Sequence, residues 1–314
     1  MRSKLFGKDS FFYEIYKNKT LYLMTLPVLV FFALLSYIPM VGVYYAFTNY
    51  NFKAGLFGSP FVGLKNFAFL FSGGVNSVIL RITRNTVLYN LIFILIGNVI
   101  QVFTAIVLSE LTSKIFKRVC QSLMFLPHFV SYVMIAVLSY NLFSYEFGII
   151  NNILKSFGVE AVNFHSMPNA WWVIIPIVYF WKTTGYGMVI YLAAIMGIDR
   201  EMYEAADIDG ANVFQRIWHI TVPNLKPTFI ILLLFSLGSI LRGQFDLFYQ
   251  LVGRNGQLFS ATDIIDTYVY RSLTQNFDIG LGTAAGLYQS LFGMITVLTV
   301  NFIVKKLNPD YALF

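Results

Sequence analysis

Six stretches of this chain are apolar over about 20 residues or more, and nothing else limits its fold so strongly. They cover residues 21–47, 86–109, 119–143, 171–196, 227–248 and 283–304. Inside hydrocarbon every backbone N–H and C=O must be paired within the chain, so a run of this kind is a helix. At about 1.5 Å per residue, each run is long enough to cross a hydrocarbon core of about 30 Å. Composition agrees, because charged residues make up 12% of the chain and soluble chains carry roughly 25%. The expected fold is an all-α integral membrane protein with six transmembrane helices, and the bilayer is its first partner. A soluble enzyme or a nucleic-acid binder is excluded on the same ground. Pro27, Pro39, Pro127 and Pro176 fall inside these runs and predict kinks.

The positive charges orient the spans. With the N-terminus inside, the cytoplasmic segments hold thirteen Lys and Arg and the outer segments seven, with Lys182 and Arg242 within spans. The turn at 112–118 and the pair Lys305–Lys306 flank spans directly and speak most clearly for both termini being cytoplasmic. The net charge of +7 is therefore a topology signal. The expected organisation is a cytoplasmic segment at 1–20, a membrane domain at 21–304 and a cytoplasmic tail at 305–314. The polar, basic start and the length of the first run argue for a retained helix over a cleaved signal peptide.

One connection stands apart. Residues 197–226 form the only long cytoplasmic loop, and they hold Asp199, Glu201, Glu204, Asp207 and Asp209, five of the chain's 15 acids. Asp199 is placed as an N-cap, Glu201 lies in the first turn where the helix dipole favours an anion, and Gly210 can take the left-handed conformation that ends a helix. Ala205 and Ala206 give that short helix a narrow waist, a shape suited to a groove on another protein. Val213, Phe214, Ile217 and Trp218 then recur at helical spacing and predict a second short helix in the membrane interface, with Pro223 and Pro227 marking entry to the fifth span.

The loop resembles the EAA loop of bacterial ABC importer permeases. Glu204-Ala205-Ala206, Gly210, Ile220 and Pro223 match its pattern of Glu-Ala-Ala, three residues, Gly, nine residues, Ile, any residue, Leu, Pro, with Val222 at the Leu position. The whole chain resembles the oligosaccharide permeases of the maltose-type superfamily, in particular the lipoprotein-associated polysaccharide (LplB-like) branch. Similar stretches are 125–131, 190–194, 238–241 and 266–271. The resemblance implies a type I ABC importer permease in a bacterial plasma membrane. It implies four kinds of partner: a second, homologous permease forming a heterodimer, two ATP-binding subunits, an extracytoplasmic solute-binding lipoprotein, and an oligosaccharide. It also implies that Asp199, Glu201, Glu204, Ala205, Ala206, Asp209, Gly210, Ile220 and Pro223 form the ATPase-coupling element.

The phosphate-binding pattern Gly, four residues, Gly-Lys-Ser/Thr is absent, so ATP is expected on the partner subunits, with no cofactor in this chain. Cys120 is the sole cysteine, and His128, His165 and His219 are scattered, which gives no metal-ligand spacing and no nucleophile-base set. His128, beside Pro127, reads as a partner for a freed backbone carbonyl. Charges within spans need water or a partner, which singles out Lys182, Arg242 and Asp246. Arg242 and Asp246 are four apart and could pair along one helix, or face a pore. With Tyr179, Trp181, Thr183, Thr184, Gln244, Tyr288 and Gln289 they make a candidate sugar path, since rings cover the apolar face of a pyranose and amides and hydroxyls bind its edge. An ion-coupled secondary transporter using Asp246, Lys182 and Arg242 is the rival reading. A membrane enzyme with His128 as base is the third.

Overall fold

The structure, a computed structural model, describes residues 14, 17–70 and 77–307. The orienting charges Arg2, Lys4 and Lys8 and most of the tail at 305–314 lie outside the described residues. Among the described residues the chain is helical, with one isolated antiparallel bridge between Thr48 and Phe61. The helices that matter here are α1 (Lys19–Phe32), α2 (Val78–Ser109), α3 (Lys114–Phe129), α4 (Tyr132–Phe143) and α5 (Ile149–Ser156). They are followed by α6 (Trp171–Met196), α7 (Arg200–Ile208), α8 (Val213–Arg216), α9 (Val222–Gly238), α10 (Phe245–Val252), α11 (Ile265–Thr274) and α12 (Ile279–Leu307). Five segments are long and apolar enough to cross a membrane, and α3 with α4 makes a sixth if that bent pair is one span.

The core is the contact between α2 and α6, which run side by side in the same direction. Tyr89, Phe93, Trp171, Ile174 and Phe248 pack at one end, and Ala105, Leu108, Met188, Leu192 and Ile195 at the other. Buried polar residues of α2 tie it to this seam and to the segments beside it. Asn98 accepts from the Tyr191 hydroxyl at 2.7 Å, and Asn85 donates to the Asp263 carbonyl at 3.0 Å. Close approach is set by small residues, as expected where helices pack without water between them. At Gly185 an added Cβ would lie 1.8 Å from the Met124 carbonyl oxygen, so α6 rests directly on the α3 backbone. Gly185→Leu is expected to force the two helices apart at a cost of at least about 1–3 kcal/mol, seen as a lower yield of monodisperse protein and a lower melting temperature in detergent.

Three expected elements differ. The third span is not one rod: α3 and α4 meet at 96°, a far sharper turn than a proline kink. At the corner Val130 and Ser131 are extended, and the Ser131 side chain caps α4 by accepting from the Met134 N–H at 3.3 Å. The separate interfacial helix at 213–218 does not form either. α8, a π-helical turn at Ile217–Thr221 and α9 run on as one span, Val213–Gly238. The wide turn ends immediately before Val222 and Pro223, where an ideal α-helix would press the proline ring on the preceding turn, and Asn224 donates to the Ile220 carbonyl at 2.7 Å. Finally, the fifth span stops at Gly238 and resumes as α10 only at Phe245. Arg242 and Asp246 therefore do not share a helix face and form no ion pair with each other.

Candidate functional site

The break at residues 239–244 is held open by side chains from three other helices. Asn90 of α2 donates to the Ile240 carbonyl at 2.8 Å and the Arg242 carbonyl at 3.3 Å. Gln289 of α12 donates to the Leu241 carbonyl at 2.7 Å, and the Asp266 carboxylate of α11 accepts from the Gly243 N–H at 2.8 Å and from Gln289 at 3.0 Å. An unwound turn frees backbone groups that need partners when buried, and these three residues supply them. Burial pushes the Asp266 carboxyl above the usual carboxylate range, against the opposing pull of the Gly243 N–H, Gln289 and the Arg242 charge.

Two cavities that share Ser239, Arg242 and Gln244 adjoin this break. One, of about 140 Å³, is also lined by Asn90, Asn98, Gln101 and Tyr179. The other, of about 320 Å³, is also lined by Tyr132, Phe245, Asp246 and Asp266. Tyr179 stacks on Phe93 with ring centroids 3.9 Å apart, which fixes one wall. Arg242 and Asp246 are exposed, and among the described residues neither has an ion-pair partner. The wall thus presents a cation, a carboxylate, amides, hydroxyls and ring faces around irregular backbone.

Other members of the sequence-derived path lie elsewhere. Tyr288 bonds Thr83 at 3.1 Å, Gln289 is a brace of the break, and the Thr183 hydroxyl donates to the Tyr179 carbonyl at 2.8 Å. Trp181 is exposed, and neither it nor Thr184 lines these cavities. Lys182 is only 7% exposed, and its ammonium donates to the Val130 carbonyl and, at 2.9 Å, to the His128 carbonyl. It also sits 4.7 Å from the centre of the Tyr132 ring. The freed carbonyls of the α3–α4 corner thus belong to Lys182, not to His128, whose ring stacks on Tyr186 at 4.4 Å. Lys182→Met should destabilise the protein by about 1.5–3 kcal/mol, the range for a hydrogen bond to a charged group, measurable as a lowered melting temperature in detergent.

The second candidate element is α7. Asp199 caps it, accepting from the Glu201 N–H at 3.0 Å. Its end is a Schellman turn: the Ala211 N–H reaches the Ala206 carbonyl at 2.9 Å, the Gly210 N–H reaches the Asp207 carbonyl at 3.2 Å, and Gly210 has φ of +73°. No residue of α7 is buried, and Glu204 projects without a hydrogen-bond partner among the described residues. Ile220 is buried behind it in the π-helical turn, and Pro223 is exposed at the start of α9. Sequence reasoning had no means of giving Asp266 its role, because its partners lie 23 residues away on either side. Asn90 did carry a signal, as an amide in an apolar run.

A helical membrane bundle with a broken span beside a polar cavity, and a capped helix standing free of the core, has the architecture of a transport permease. The chain belongs to the family described as binding-protein-dependent transport system inner membrane component, whose profile matches residues 97–309. It is 34% identical to protein LplB of Bacillus subtilis (strain 168), over 94% of this chain and 91% of that protein. It is 33% identical to the polygalacturonan/rhamnogalacturonan transport system permease protein YteP of the same organism, over 95% and 91%. Among solved structures it matches a chain of a bacterial alginate ABC transporter in complex with alginate pentasaccharide-bound periplasmic protein. There the TM-score is 0.83 and the identity 31%, over 95% of this chain and 98% of that one. The fold is that of a type I ABC importer permease.

Proposed function

We propose that this chain is a membrane subunit of an ATP-driven importer for oligosaccharides in a bacterial plasma membrane. The observation that carries the reading is the polar wall at the break of the fifth span, where Arg242, Gln244, Asp246 and Tyr179 line two adjoining cavities that a second permease would close. The relatives support the substrate class, since YteP is named for polygalacturonan and rhamnogalacturonan and the matched structure carries alginate. An unpaired arginine at such a wall suits carboxylate-bearing sugars of that kind.

In this reading α7 seats in a cleft of an ATPase subunit. Glu204 faces basic groups there, and Asp199, Glu201, Ala205, Ala206, Asp209 and Gly210 set the shape of the helix and its ends. Ile220 and Pro223 shape the turn by which the fifth span begins behind it. Two ATP-binding subunits hold the nucleotide, a second homologous permease completes the cavity, and a solute-binding lipoprotein delivers the sugar. Closure of the ATPase pair moves α7 and opens the cavity to the other side; hydrolysis resets it. The test is uptake of labelled oligosaccharides into proteoliposomes holding both permeases and the ATPase subunits. Uptake should require ATP and the binding protein, and uptake driven by an ion gradient without the ATPase subunits would overturn the reading.

A further inference from the structure

We propose that Arg216 is the joint through which α7 drives the membrane spans, a positioning residue of the transport cycle; this rests on the coupling reading of α7. The helix buries no residue fully, so packing fastens it to the bundle only weakly. Among the described residues its side chains make polar contacts with the rest of the protein in two places: Asp207 pairs with Arg216, and the Tyr203 hydroxyl lies 2.9 Å from Thr221 Oγ1. The chain leaves α7 through Gly210, a left-handed glycine, which is a compliant link and a poor lever.

Arg216 is suited to the task because it forks. One terminal nitrogen, Nη1, holds Asp207, while Nη2 lies 3.5 Å from Glu110 Oε2. Its own Cα belongs to α8, the start of the fifth span, and Glu110 is the C-cap of α2. A single guanidinium therefore ties α7, the fifth span and α2 together. Its Nε is buried and has no partner, so both of its polar contacts serve this three-way junction. α2 is one unbroken helix from Val78 to Ser109, and at Asn90 it grips the Ile240 and Arg242 carbonyls of the break. Twenty residues of helix separate Glu110 from Asn90, a rigid rod of about 30 Å between the joint and the cavity. A partly exposed pair of this kind contributes little to folding stability. Its use is to make three elements move as one.

The test compares transport with ATP hydrolysis in the complete reconstituted importer. Arg216→Gln should assemble normally and hydrolyse ATP, while the sugar transported per ATP falls at least about ten-fold, within the range of coupling energies between sites. Arg216→Lys should recover part of the ratio, and Glu110→Gln and Asp207→Asn, which each remove one arm, should lower it less. An unchanged ratio in Arg216→Gln, a parallel fall of transport and hydrolysis, or failure of that variant to assemble would each overturn the joint. Glu204→Lys is run alongside. If it transports normally, the coupling reading of α7 itself is wrong; if it fails while Arg216→Gln keeps the ratio, only the joint is lost.

Discussion

Glu204→Lys and Gly210→Pro should each reduce ATP-driven uptake to below about a hundredth of wild type while leaving the spans folded. The two act differently. Glu204 is exposed on a helix with no buried residue, so reversing its charge leaves the fold intact and places a cation against the basic groups proposed on the ATPase. Like charges across an interface cost several kcal/mol, and about 2.7 kcal/mol already corresponds to a hundred-fold loss of affinity. Gly210 has φ of +73°, whereas proline is held near −65°, so the Schellman turn cannot form. Proline also removes the N–H that bonds Asp207. The helix would then end elsewhere and present Glu204 at a different angle. Uptake in proteoliposomes, co-purification of the ATPase and the melting temperature of the permease separate docking from folding. Normal uptake in both variants would defeat the coupling role.

Asp266→Leu should collapse the break in the fifth span and abolish transport, whereas Asp266→Asn should be tolerated. The carboxylate oxygen that accepts from Gly243 and Gln289 lies so close that a Cβ on Gly243 would come within 2.5 Å of it. Leucine supplies no acceptor and leaves the Gly243 N–H and the Gln289 amide short of partners, at about 1–3 kcal/mol for each group. Asparagine keeps one oxygen in place. The pH dependence gives a second check. Because burial raises the Asp266 pKa, the folded protein holds that proton more tightly than the unfolded chain does. The contribution to stability is therefore greatest below the ordinary carboxylate pKa of about 3.9 and is lost as pH rises through the raised value. Melting temperatures measured upward from about pH 4 should show that decline in the wild type and lose it in Asp266→Asn. Retained transport in Asp266→Leu would show that the break needs no such clamp.

Most of the helices were legible in the sequence, and the breaks were not. The run at 171–196 is α6 residue for residue, and Asp199 and Gly210 delimit α7 as their chemistry requires. Such features depend on the chain within a few residues of themselves. The α3–α4 corner had only Pro127 as a hint, and its angle rests on Ser131 and on Lys182, which binds the Val130 carbonyl from 52 residues further along. The break at 239–244 looked like unbroken span because Ile240 and Leu241 continue the apolar run and a single serine is tolerated within a span. Its partners Asn90 and Gln289 are 150 and 48 residues away. For the same reason Lys182 and Arg242 could not be told apart in the sequence as charges within spans: one is buried against carbonyls and the other faces the cavity.

By itself the sequence determined that this is a helical membrane protein and where the short helix of the 197–226 loop begins and ends. Hydrophobic length and helix caps are local properties, set before any helix meets another. Only the tertiary structure decided where the spans break, which charges stay free and which side chains wall the cavity. Each of those outcomes turns on whether a freed backbone group finds a donor or acceptor on another helix, and hydrocarbon offers it no other partner.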